Sequence, residues 1–125
     1  METLAPNIFV KDIHASLEFY QQLGFEKIMS VPETGNYDWV MMMHGGVTIM
    51  LQTFASLGDA LPQISRGNGG SLLFYIRLKN IRAFHDKVRN KVKVIADLNK
   101  TFYGATEFSI LDNDGYVLTF AEDEG

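Results

Sequence analysis

Val10-Lys11-Asp12-Ile13 returns later in the chain as Leu78-Lys79-Asn80-Ile81, and Gly46-Val47-Thr48-Ile49-Met50-Leu51 returns as Gly115-Tyr116-Val117-Leu118-Thr119-Phe120. The first pair marks a junction at which a β-prone run meets a polar N-cap candidate and then an apolar residue that opens a helix. The second pair is a glycine turn leading into an alternating strand. Identity between the halves is low, but the order of elements repeats, which is the mark of a duplicated module.

Outward from these anchors the first half reads as strand, helix and three strands. Asn7-Ile8-Phe9-Val10 is the first strand, and Asp12 caps a helix carrying Ile13, Leu17, Tyr20 and Leu23 at helical spacing, ended by Gly24. Phe25 to Val31, Tyr37 to Met43 and Val47 to Phe54 are the next strands, the last two joined by His44-Gly45-Gly46. From Ala55 to Gly70 the composition turns to Gly, Ser, Asp, Asn and Pro and reads as a linker ending in Arg66-Gly67-Asn68-Gly69-Gly70. Leu72 to Leu78 restarts the pattern, with Asn80 as a second N-cap and Ile81, Phe84 and Val88 as the stripe of a second helix. Val92 to Ala96 is a short strand, and Thr106 to Leu111 and Tyr116 to Ala121 close a hairpin around Asp112-Asn113-Asp114-Gly115. The modules therefore run over about residues 4–54 and 71–122 of a single domain, 1–125, with the linker over about 55–70.

The bulk composition sets limits on function. A chain of 125 residues, 46% hydrophobic and 21% charged, fits one globular domain. No apolar run approaches membrane-spanning length, and the first residues lack the basic-then-apolar pattern of a secretory signal, so the expected compartment is the cytoplasm. The absence of cysteine excludes disulfides, thiolate metal sites and a cysteine nucleophile. From Arg77 to Lys100 eight basic residues face only Asp86 and Asp97, while the chain ends in Glu122, Asp123 and Glu124. No aromatic residues alternate with those basic groups to form a stacking platform, so they read as a solvated helix face and not as a nucleic-acid surface.

Several of these pieces, in this order, resemble the vicinal oxygen chelate superfamily, which includes glyoxalases, extradiol dioxygenases and bleomycin resistance proteins. They are Asn7-Ile8-Phe9-Val10-Lys11-Asp12-Ile13, Ser16-Leu17-Glu18-Phe19-Tyr20, Leu23-Gly24-Phe25, Tyr103-Gly104-Ala105-Thr106-Glu107-Phe108 and Asp112-Asn113-Asp114-Gly115. Asn113 stands where members commonly carry proline, a departure that touches only turn rigidity. The resemblance implies an α+β fold of two tandem βαβββ modules whose mixed sheets curve into a cup with helices outside. It also implies a homodimer, often formed by exchanging modules across the linker.

In metal-dependent members the ligands are His, Gln or Glu on the first and last strand of each module, facing inward. Here those positions fall on Ala5, Leu73, Met50 and Thr119, none of which is a normal ligand for a divalent metal. A shift of two residues keeps the sheet face and brings in Asn7, Gln52, Tyr75 and Ala121, of which only Gln52 is a family-type ligand. The three histidines offer no substitute: His14 is placed on the polar side of helix one, His44 in a hairpin turn and His85 on helix two, each as an ordinary surface residue outside the cup. The expectation is no metal, no cofactor and no catalytic residue.

Strand alternation assigns the cup lining to Asn7 and Phe9, Trp39 and Met41, Met50 and Gln52, Tyr75 and Arg77, and Glu107 and Ser109, with Tyr103 at the rim. Apolar and aromatic walls carrying a few polar groups suit a small molecule, and Phe9, Trp39 and Tyr75 suit a planar one. Arg77 offers a fork to an anion, or else pairs with Glu107 across neighbouring strands. Trp39 and the Met41-Met42-Met43 run equally fit a packed core or a dimer seam.

Three functions follow. The favoured one is a metal-free protein that binds an aromatic or amphipathic molecule, resembling bleomycin resistance proteins. The second is a metal-dependent lyase, isomerase or dioxygenase with displaced ligands, in which Gln52, Glu107 and a partner chain's histidines converge. The third is a regulatory or interaction domain with its cup packed shut.

Overall fold

Asn7–Val10 forms β1, and the helix after it, α1 (Ile13–Gln22), starts where Asp12 accepts the backbone N–H of Ala15 at 3.1 Å. That carboxylate satisfies one of the donors a helix start leaves open. Gly24 follows α1 with φ +104°, and a Cβ there would lie 2.7 Å from Cδ2 of His44, so both the backbone angle and the close approach require glycine. Glu26–Val31 (β2), Trp39–His44 (β3) and Val47–Thr53 (β4) complete the first four-stranded sheet, in the order β1-β4-β3-β2. β1 runs parallel to β4 and the other pairs are antiparallel.

In this computed structural model, which describes residues 1–67 and 71–124, the chain separates into two compact units, Met1–Asn68 and Gly69–Gly125. The second unit repeats the plan with β5 (Leu73–Arg77), α3 (Ile81–Val88), β6 (Lys93–Lys100), β7 (Ala105–Leu111) and β8 (Val117–Asp123), in the order β5-β8-β7-β6. The register repeats as well. Asn7 pairs with Met50 and Phe9 with Gln52 in the first unit, and Tyr75 pairs with Thr119 and Arg77 with Ala121 in the second. These are the correspondences that the repeated sequence stretches predict. Even the irregularities agree: β2 bulges between Lys27 and Met29 opposite β3, and β6 between Val94 and Ala96 opposite β7.

Each sheet buries one face under its helix. In the first unit Ile8, Val10, Val40, Met42, Ile49 and Leu51 form that face, with Tyr20 of α1 fully enclosed. In the second it is Phe108, Ile110, Leu118 and Phe120, against which Phe84 of α3 sets its ring 4.9 Å from that of Phe120. Full burial of one such side chain contributes about 1.5–3 kcal/mol. The alternation places the remaining strand residues on the opposite, helix-free faces.

Several details differ from the sequence expectations. The stretch after β4 is not linker from its start, because Phe54–Leu57 forms a short helix, α2, capped by Thr53, whose Oγ1 accepts the N–H of Ser56. Beyond it Arg66 donates to the carbonyls of Gly58, Ala60, Leu61 and Ile64, which fixes the backbone that composition read as free; residues 68–70 at its end lie outside the described residues. Asn80 stands at the N-cap of α3 but in a left-handed conformation without a side-chain cap. The carboxylate of Glu122 on β8 takes the N–H groups of Asn80 and Ile81 instead. β6 runs to Lys100, longer than expected, because its bulges let it continue along β7. His44 is the last residue of β3, paired with Val47, and not part of the turn.

The acidic end of the chain neutralises part of the basic segment. Glu124 pairs with Arg82 at 2.5 Å and with Lys100 at 3.7 Å, and accepts from Oγ1 of Thr106 at 2.7 Å. The Arg82 guanidinium, then Thr106, hold the Glu124 carboxyl well below the usual range, at about 2.

Candidate functional site

On the helix-free face of the first sheet, the register sets Asn7, Met50, Met41 and Met29 in one row and Phe9, Gln52, Trp39 and Val31 in the next. Six of the expected lining residues, Asn7, Phe9, Trp39, Met41, Met50 and Gln52, are thus gathered on one surface, all half-buried. Phe9 lies beside Phe54 of α2, ring centroids 6.2 Å apart. Two polar groups interrupt the apolar surface. Nδ2 of Asn7 donates to Oε1 of Gln52 at 3.0 Å, and the buried Oδ1 of Asn7 has no partner among the described residues. A buried acceptor left open costs about 1–3 kcal/mol, which a donor arriving from a ligand would recover.

Met29 belongs to this surface and escaped the sequence reading. Strict alternation fails at the β2 bulge, which re-aims Met29 opposite Met41 with 54% of its surface exposed.

The second sheet places Tyr75, Glu107, Ser109 and Arg77 on its helix-free face, on β5 and β7 to either side of β8. Ser109 and Thr119 join their hydroxyls at 2.8 Å, so Thr119, 6% exposed, is occupied within the sheet. Arg77 does not pair with Glu107: its guanidinium reaches Asp123 at 3.5 Å. Glu107 is instead held by two phenols. The hydroxyls of Tyr75 and Tyr103 each donate to its Oε2 at 2.5 Å.

Tyr103 comes from the connection between β6 and β7, which is fixed by its own hydrogen bonds. Thr101 N–H donates to the Ala105 carbonyl at 2.8 Å, Ala105 N–H returns to Oγ1 of Thr101, and Glu124 N–H donates to the Gly104 carbonyl. The hydrogen bond to Glu107, followed by desolvation and by the charge itself, raises the ionisation of Tyr75 far above the phenol range and raises that of Tyr103 in the same way. Both phenols remain donors across the physiological range.

The positions that the resemblance implies for metal ligands carry apolar and hydroxyl side chains, and the first of them, Ala5, lies ahead of β1. Ala5, Met50, Leu73 and Thr119 supply no imidazole or carboxylate, and among the described residues no group of three or more His, Cys, Asp or Glu is placed to hold an ion. The histidines lie elsewhere. His14 is exposed and packs on Tyr37 with ring centroids 5.0 Å apart, and His44 packs its ring edge-on against Phe25 on the helix side. His85 departs from the expected surface residue: its side chain is only 13% exposed, pairs with Asp97 at 2.7 Å and stands edge-on to Phe108. Those contacts also belong to the helix side of the second sheet. Among the described residues no helix is long and apolar enough to cross a membrane.

Comparison with known proteins agrees with this architecture. The family model described as Glyoxalase/Bleomycin resistance protein/Dioxygenase superfamily matches residues 3–120. TioX from Micromonospora sp. ML1 superposes with a TM-score of 0.78 at 12% identity, over 98% of this chain and 99% of that one. A glyoxalase/bleomycin resistance protein/dioxygenase family enzyme from Burkholderia phytofirmans PsJN gives 0.78 at 22% identity, over 95% and 96%. The bleomycin resistance determinant encoded on the transposon Tn5 gives 0.70 at 17% identity, over the whole of both chains. At these identities the likeness establishes the fold alone. No curated protein matches by sequence.

Proposed function

The chain belongs to the Glyoxalase/Bleomycin resistance protein/Dioxygenase superfamily, and from that premise we propose that it is a metal-free member that binds an aromatic or amphipathic small molecule. The observation that carries this reading is the helix-free face of the first sheet, where Phe9, Trp39, Met41 and Met50 share one surface with Asn7, whose Oδ1 has no partner among the described residues. An aromatic and thioether surface with one directional polar group is the usual make-up of a small-molecule site. The four positions at which metal-dependent relatives place ligands carry side chains unable to serve, so binding requires no ion. The second sheet, by itself, offers polar groups to a ligand on Tyr75, Arg77, Tyr103, Glu107 and Ser109. The protein acts as a cytoplasmic homodimer in this reading, which light scattering on the purified protein checks.

Metal analysis joined to a thermal-shift screen of divalent ions and aromatic compounds tests the proposal, since a specific ligand raises the melting temperature according to its concentration over Kd. The expected result is stabilisation by aromatic compounds, unchanged after treatment with a chelator. Stoichiometric Ni, Zn, Fe or Mn in the purified protein, with melting that responds to its removal, would overturn it.

A further inference from the structure

Glu107 is a half-buried carboxylate that, among the described residues, faces no cation. Arg77, in the same row of the sheet, is drawn to Asp123, and Lys100 of the neighbouring strand to Glu124. Its two partners are phenols whose hydrogens both point at Oε2, which leaves Oε1 unengaged among the described residues. Tyr75 and Tyr103 therefore turn only oxygen lone pairs and ring faces outward. They are 46% and 56% exposed, and Phe102, fully exposed, stands edge-on to Tyr103 at 5.0 Å.

A cluster with one negative charge, two phenol oxygens acting as acceptors and three aromatic rings is selective by its chemistry. An anion brought here meets a like charge. A neutral hydroxyl finds acceptors but leaves the charge unbalanced. A primary ammonium carries three N–H donors on a cation, which match the free carboxylate oxygen and the two phenol oxygens, while the ring faces attract the positive charge. We propose that Tyr75, Glu107 and Tyr103 form a recognition site for the ammonium group of an organic amine. This rests on the reading of the protein as a small-molecule binder and names the charge of a ligand held on the second sheet.

The site is pre-organised before any ligand arrives. Tyr103 is held by the Thr101–Ala105 turn and by the Glu124 N–H on Gly104, and the phenols fix the rotamer of Glu107. Binding the amine therefore orders few side chains, which keeps its entropic cost low.

The test uses the full-length protein and a panel of bicyclic aromatic frameworks, each carried as primary ammonium, as hydroxymethyl and as carboxylate, with Kd measured by calorimetry. The ammonium members are expected to bind about tenfold more tightly than the matching alcohols, with carboxylates the weakest. Glu107→Gln retains an oxygen for both phenols and is expected to erase the ammonium preference, read as the ratio of the alcohol Kd to the ammonium Kd. A Tyr75→Phe/Tyr103→Phe double variant, which leaves Glu107 in place, should reduce that preference without abolishing it. Equal binding of all three series, or an ammonium preference that survives Glu107→Gln, would overturn the ammonium site while the small-molecule reading stands. No binding by any member would overturn both.

Discussion

The two sheets share one plan and differ in what they present. Positions related by the repeat carry Phe9 against Arg77, Trp39 against Glu107, Met41 against Ser109 and Met50 against Thr119. The first helix-free face is an apolar and thioether surface, and the second is a hydrogen-bonded polar one. The faces under the helices, in contrast, remain apolar in both units: Ile49 corresponds to Leu118 and Leu51 to Phe120, and all four are buried. Duplication thus preserved what folding requires, a buried stripe in a fixed register, and left the other side of each sheet free to take different chemistry.

The strongest way to break this comparison is truncation on opposite faces. Ile49→Ala and Leu118→Ala are each expected to cost about 2–5 kcal/mol in chemical denaturation. Met41→Ala, on the helix-free face of the same sheet as Ile49, should cost about 1 kcal/mol or less. Equal losses at Met41 and Ile49 would make the first helix-free face a core and not a binding surface. Gly24→Ala comes next, at about 1–3 kcal/mol, because the residue sits at φ +104° and its new Cβ meets His44. Both helices end on a right-handed cap, Leu23 and Arg89, but Asn90, which follows the second, has no positive φ, so the end of α3 carries no such sensitivity.

A smaller effect separates the units by pH. Glu124, in the second unit, titrates near 2 in the folded protein against an ordinary 4.5, so the stability this carboxylate contributes is complete above the higher value and vanishes as the pH falls to the lower one. The difference in melting temperature between the wild type and Glu124→Gln should hold constant from neutral pH down to about 5 and close toward about 2. A difference independent of pH would contradict the Arg82 pairing. The smallest expected change is at Arg66: Arg66→Ala should alter stability by less than about 1 kcal/mol. It should nevertheless speed proteolysis within residues 58–66, whose carbonyls it holds.

The repeat and the order of its elements were legible because they depend on period and on turn residues, which a sequence displays directly. The two halves laid over each other in sequence also carry the same register in the structure, Asn7 with Met50 and Tyr75 with Thr119. What escaped depends on contacts distant in sequence. Asn80 reads as a cap, but Glu122, 42 residues away, does the capping. For Arg77 the sequence leaves open an anion or Glu107, and in the structure each of the two residues has another partner. Met29 was hidden by a bulge. His85 has the sequence context of a surface residue and is enclosed only because Asp97 on β6 and Phe108 on β7 come up against it.

The six methionines provide a direct measurement of the central claim, because Met29, Met41 and Met50 lie on the apolar helix-free face while Met42 is fully buried under the helix. Protein carrying methionine labelled with carbon-13 at the methyl group, treated with a chelator and titrated with 2-naphthylmethanol, reports on each position separately by NMR. Metal-free binding at this face predicts saturable shifts at Met41 and Met50 with Met42 unmoved. Methyl signals that stay fixed until a divalent ion is added, or that shift at Met42 and not at Met41 and Met50, would contradict it.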